Sequence, residues 1–147
     1  MTNDLPAQIN REFHRCIVGS NSEIETLNED IHAWALSIEV PIKAINSVAL
    51  MMDELITNVV MHGYKKNSEG EIDIHLQLIA NTVAVTIRDN APEFNPFLIA
   101  EPDTALDIDE REIGGLGIHF VRKMADHFSY RRDGNVNEVH FTKTWST

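Results

Sequence analysis

A chain of 147 residues, 43% apolar and 24% charged, has the size of one ordinary domain with enough apolar side chains for a core, and its composition argues against disordered, collagen-like and disulfide-rich classes. A formal net charge of -11 argues against general binding to nucleic acid or anionic lipid, because the attraction to a phosphate backbone is missing. Cys16 is the single cysteine, so neither an intramolecular disulfide nor a cysteine zinc site can form. No apolar run approaches the roughly 20 residues that span a bilayer. The polar start, Met1 to Pro6, lacks the basic and apolar stretches of a signal peptide, so a soluble cytoplasmic protein with no membrane partner is expected.

The first ten residues are polar and are expected to fray. Phe13 to Val18 reads as an opening strand. Ser20 and Glu23 have capping-box spacing: the hydroxyl serves a free backbone N–H and the carboxylate reaches back to the cap. Ile24, Leu27, Ile31, Trp34 and Ile38 recur at helical spacing, which predicts a helix from Asn21 to Glu39 with Trp34 in the core. Pro41 suits the first turn of a second helix. Its buried stripe is Ile45, Val48, Met52, Leu55 and Val59, and it runs to about His62, with Gly63 as the stop. Glu71 to Ile79 alternates apolar and polar residues, Ala80-Asn81 is a short turn, and Val83, Val85 and Ile87 continue with period two, predicting an antiparallel hairpin.

Residues 90–113 show little periodicity, carry Pro92, Pro96 and Pro102, and become acidic in their second half. A segment of that length between elements is commonly a functional lid or disordered. Gly114, Gly115, Leu116 and Gly117 then open a helix whose apolar face is Ile118, Val121, Met124 and Ala125. A closing hairpin, Phe128 to Arg132 and Val136 to Thr144, turns around Asp133-Gly134, and Trp145 falls near a frayed end. The order β-α-α-β-β-lid-α-β-β predicts a single α+β domain with helices on one face of a sheet.

Three features carry candidate chemistry. Glu54 and Asn58 stand one helical turn apart on one face, with His62 four residues further. A carboxamide oxygen suits Mg2+ and a carboxylate can deprotonate a hydroxyl. The same two residues could also be a solvated glutamate and a satisfied boundary amide. The glycine turn at Gly114–Gly117 leaves backbone N–H groups open at a helix start, which favours phosphate, or it is a hinge needing positive φ. It matches neither a Walker A pattern nor Gly-x-Gly-x-x-Gly. Asp89, at a strand end, can accept from a ligand N–H such as an adenine amino group, or form an Asp-Asn turn. His14, His32, His75, His119, His127 and His140 form no ligand-spaced cluster and read as surface or boundary residues.

In their order and spacing, these features resemble a family. Asp53 to Tyr64 (DELITNVVMHGY) looks like the N-box of GHKL ATPases, in the version of the bacterial anti-sigma-factor serine/threonine kinases. Asp89 to Pro96 (DNAPEFNP) looks like the first glycine box, and Gly114 to Lys123 (GGLGIHFVRK) is similar to the second. The resemblance covers Phe13 to Lys143. It implies a Bergerat-type, histidine-kinase-like ATP-binding fold: a two-layer α/β sandwich with a mixed, mostly antiparallel sheet. It makes Glu54 the general base, and it assigns Asn58 to a Mg2+ held by ATP phosphates. Asp89 becomes the adenine contact, with His62, Ala91, Gly114, Gly115, Leu116, Gly117 and Ile118 completing the nucleotide site.

The implied activity is transfer of the ATP γ-phosphate to a serine or threonine of a small antagonist protein. A sigma factor is a further partner and a homodimer a possible assembly. Two departures stand out. Ala91 replaces the glycine usual two residues after the Asp, restricting φ and adding a methyl near adenine. Asn137-Glu138 replaces a frequent Gly-Thr, so a hydroxyl supporting the adenine end is expected to be missing. The acidic lid (Glu101, Asp103, Asp107, Asp109, Glu110, Glu112, with Arg111 its only basic residue) is poorly suited to holding phosphates. These departures motivate a catalytically silent, nucleotide-dependent protein-binding module. A detached histidine-kinase catalytic domain is the third reading.

Overall fold

The computed structural model describes residues 11–63, 70–98 and 115–146. Its strands are β1 (Glu12–Ile17), β2 (Ile72–Ile79), β3 (Thr82–Asp89), β4 (His127–Asp133) and β5 (Val136–Thr144); its helices are α1 (Asn21–Ser37), α2 (Ile42–Asn58) and α3 (Gly115–Met124). The strands form one five-stranded sheet in the order β1-β2-β3-β5-β4. Every pairing in it is antiparallel. The expected α+β architecture is present.

The sheet has one dry face because its alternation is strict. Ile72, Ile74, Leu76 and Leu78 of β2, Val83, Val85 and Ile87 of β3, and Val139 and Phe141 of β5 are buried together with Leu27, Ile31 and Trp34 of α1 and Val48, Met51, Met52, Leu55 and Ile56 of α2. Period-two and period-3.6 stripes thus meet in one core. α2 touches α1, α3 and β5, which makes it the central helix of the covering layer. The stretch Ile42–Met61 is long and apolar enough by length and composition to cross a membrane, with a mean hydropathy of 1.3, contrary to the expectation that no run approaches that length. Half of it is buried inside the fold. Its apolarity serves contacts with neighbouring elements.

Helix ends differ from expectation in instructive ways. Ser20 caps α1 by accepting from the Glu23 N–H at 3.3 Å. The Glu23 carboxylate reaches past the cap and accepts from the Val18 N–H at 2.8 Å, so it ties the helix start to the end of β1. α1 stops at Ser37, two residues early. Glu39 adopts φ +62, its N–H bonds Leu36 C=O at 3.3 Å, and the Val40 N–H bonds Ala35 C=O at 2.9 Å. These two bonds are a Schellman motif with glutamate where glycine is usual, closed by the buried pair Val40 and Ala35.

Directly after Asn58 the helix widens into a π turn, Val59–Gly63. Such turns carry i→i+5 bonds and recur at functional sites. Gly19, between β1 and α1, has φ +77, and a Cβ there would stand 2.7 Å from Val60 Cγ2. Trp145 is not at a loose end. It packs half-buried against the core, its N–H bonds Asn81 C=O at 3.1 Å, and Asn81 Nδ2 donates to its carbonyl.

Candidate functional site

Burying a polar side chain costs free energy unless its hydrogen-bonding groups are satisfied. Three polar or charged residues are buried among those described: Asn58 (2% exposed), Asp89 (6%) and Asn137 (3%). All three line one narrow pocket. Its other walls are Leu55, Val59, Ile87, Val139, Ala91, Phe94 and Pro96. α2 supplies Asn58 because the residue falls on the sheet-facing side of the stripe. β3 and β5 bring Asp89 and Asn137 opposite each other in register. The pocket is narrow, with a volume of about 20 Å³, room for roughly one water.

Asp89 is held on one side. Its Oδ1 accepts from the Ala91 N–H at 2.9 Å and from Asn137 Nδ2 at 2.9 Å. Both of these bonds fall on Oδ1. Asn58 contrasts with it: its Nδ2 is buried without a partner. Exchanging the two ends of that amide changes only which polar atom is orphaned. Two further buried atoms lack partners, His119 Nδ1 and Thr142 Oγ1, and neither residue lines the pocket. A carboxylate held at one oxygen and a carboxamide with one orphaned end, lining one pocket with apolar walls, are suited to a ligand with complementary donors and acceptors.

Glu54 is half-buried one turn before Asn58. Burial lifts its carboxyl above the ordinary glutamate range, and the Asp53 charge adds to the shift. That raised proton affinity is a property of a usable general base.

The two sequence departures have structural answers. Ala91 does not occupy the left-handed region; its methyl is buried in the pocket wall, so the glycine's freedom is not needed here. Asn137 supplies the support expected to be missing. Its Nδ2 donates to Asp89, and also lies 3.2 Å from Ala91 C=O and 3.1 Å from Pro92 C=O. Its Oδ1 accepts from Tyr130 Oη at 2.5 Å, Arg132 Nη1 at 3.0 Å and the Phe94 N–H at 3.3 Å. Arg132 Nη1 also donates to Ala91 C=O at 2.8 Å. Sequence reasoning passed over Tyr130 and Arg132. Both are on β4 facing the core side, and their period-two spacing was the available signal. Glu138 turns to the other face, accepting from Arg88 at 2.7 Å and Arg131 at 3.3 Å.

Ile118 is buried on α3. The backbones of His62, Gly115, Leu116 and Gly117 lie in the π turn and α3; their side chains, together with Gly114 and the acidic part of the expected lid, lie outside the described residues. Among the described residues no group of three His, Cys, Asp or Glu side chains could hold a metal ion.

A two-layer domain whose buried polar groups gather between its central helix and its sheet offers a place for a small molecule between the layers. The chain belongs to the histidine kinase-like ATPase domain family, whose family model matches residues 19–143. It is 29% identical over 96 residues to the serine/threonine-protein kinase BtrW of Bordetella bronchiseptica, covering 65% of this chain and 68% of that one. It is 28% identical over 101 residues to the serine-protein kinase RsbW of Listeria monocytogenes, covering 66% and 64%. The matched parts thus span about two thirds of these curated relatives. Among solved structures, the RsbU and RsbW domains of a Mycobacterium tuberculosis protein match over 90% of this chain and 32% of that one, with a TM-score of 0.64 at 14% identity, which concerns the fold alone.

Proposed function

We propose that this chain is a cytoplasmic serine/threonine protein kinase of the anti-sigma-factor type, transferring the γ-phosphate of Mg-ATP to a hydroxyl of a small antagonist protein. The observation that carries the reading is the convergence of Asn58, Asp89 and Asn137, the buried polar residues of the described chain, on one pocket. Family membership and the kinase names of the relatives support it. On this reading Asp89 Oδ2 accepts the adenine amino group, and Asn58 holds the magnesium that accompanies the phosphates. Magnesium, when bound, supplies neutralisation of phosphate charge. Glu54 takes the proton from the attacking hydroxyl. The hydroxyl oxygen bonds to the γ-phosphorus, and the bond from that phosphorus to the bridging oxygen breaks to leave ADP. Transfer of this kind depends on positioning and electrostatics. Sigma-factor binding is the accompanying partner function.

Calorimetric titration of Mg-ATP, followed by transfer assays with candidate antagonist proteins, tests the reading. Expected are Mg2+-dependent binding weakened by Asn58→Ala, and phosphoserine or phosphothreonine on the antagonist. ATP binding with no phosphotransfer, and partner regulation unchanged in Glu54→Gln, would replace it with the silent binding module. Acid-labile, alkali-stable phosphate on a partner histidine would replace it with a histidine kinase.

A further inference from the structure

We infer that Asn137 is the positioning residue through which this chain selects a 6-aminopurine base, an inference resting on the proposed nucleotide site. The carboxamide is saturated at both ends. Its oxygen faces three donors, Tyr130 Oη, Arg132 Nη1 and the Phe94 N–H. Its nitrogen, with two hydrogens, faces three acceptors, Asp89 Oδ1, Ala91 C=O and Pro92 C=O. Donors on one side and acceptors on the other fix the amide in one orientation. A saturated amide has nothing left for a ligand, so Asn137 acts through Asp89.

The consequence for Asp89 follows from counting lone pairs. The Ala91 N–H and Asn137 occupy Oδ1 and leave Oδ2 as the oxygen for a ligand, in a pocket that Asn58 also lines and that Leu55, Val59, Ile87 and Val139 wall. A carboxylate oxygen in that place rewards a base with an amino group at C6. A 6-oxopurine sets its carbonyl oxygen against the carboxylate, leaving two buried acceptors unpaired. Burial of Asn137 and the bond from the Tyr130 phenol hold this arrangement in place. The carboxamide also grips Ala91 and Pro92, so it shapes the wall and the carboxylate together.

The test measures the ratio of GTP to ATP dissociation constants on the full chain, for wild type, Asn137→Leu, Asn137→Thr and Tyr130→Phe, with melting curves for each. Wild type is expected to prefer ATP. Asn137→Leu should weaken ATP binding about 10- to 100-fold while leaving GTP nearly unchanged. Asn137→Thr, which keeps a donor for Oδ1, should retain most of the preference. Tyr130→Phe should lose several-fold of it. A folded Asn137→Leu with an unchanged ratio overturns the inference. So does an equal fall in both affinities across Asn137→Leu and Asn137→Thr that tracks their melting temperatures. If Asn137→Leu does not fold, unchanged ratios in Asn137→Thr and Tyr130→Phe together overturn it. Failure of the wild type to bind ATP at all is a different result and removes the nucleotide site itself.

Discussion

At the scale of single residues, the site trades stability for binding capacity. The orphaned Asn58 amide costs roughly 1–3 kcal/mol if nothing binds it. Asn58→Leu, similar in size, is therefore expected to raise the melting temperature while weakening Mg-ATP binding; a combined melting and calorimetry experiment reads both. Glu54 follows the same logic. Its carboxyl pKa is raised in the fold, so its contribution to stability is full below the unfolded value and is lost as pH rises through the folded value. Glu54→Gln is then expected to melt higher than wild type at neutral pH, and the difference should vanish in acid. The same substitution should lower phosphotransfer by about 10²- to 10⁴-fold with ATP binding retained. The acid limb of the wild-type rate profile should lie above the ordinary glutamate range.

At the scale of elements, the connections hold the strain. Glu39 occupies a left-handed position that glycine fills without steric cost. Glu39→Gly is expected to stabilise the chain by roughly 0.5–1 kcal/mol, shifting the melting midpoint up by a few degrees. Gly19→Ala should do the reverse. With φ +77 and a new methyl 2.7 Å from Val60 Cγ2, it is expected to cost about 1–3 kcal/mol, measurable by urea unfolding. Val60 belongs to the π turn that follows Asn58, so this substitution should also weaken Mg-ATP binding if that turn sets the Asn58 side chain. The end of α1 was misread from sequence for a physical reason. Helical periodicity continues through Ile38, and the stop is made by backbone bonds to Leu36 and Ala35 with no glycine to announce it.

At the scale of the whole molecule, the pocket lies where α2, β3, β5 and the segment after β3 meet, so a ligand there ties the two layers together. Mg-ATP at about 100 times its dissociation constant is expected to stabilise the fold by roughly 2.7 kcal/mol, a rise of roughly 5–10 °C in melting midpoint for a domain of this size. A scan showing no shift would count against binding between the layers. By itself the sequence determined the elements, their order, the buried faces and the positions of Glu54, Asn58 and Asp89, because hydrophobic period and motif spacing are local properties of the chain. Only the tertiary structure decided that Asn137, 48 residues from Asp89 in sequence, donates to its carboxylate. It also decided that Ala91 needs no glycine and that the helix widens after Asn58. Those outcomes depend on strand register and on which distant donors and acceptors are buried together, and a linear pattern does not record either.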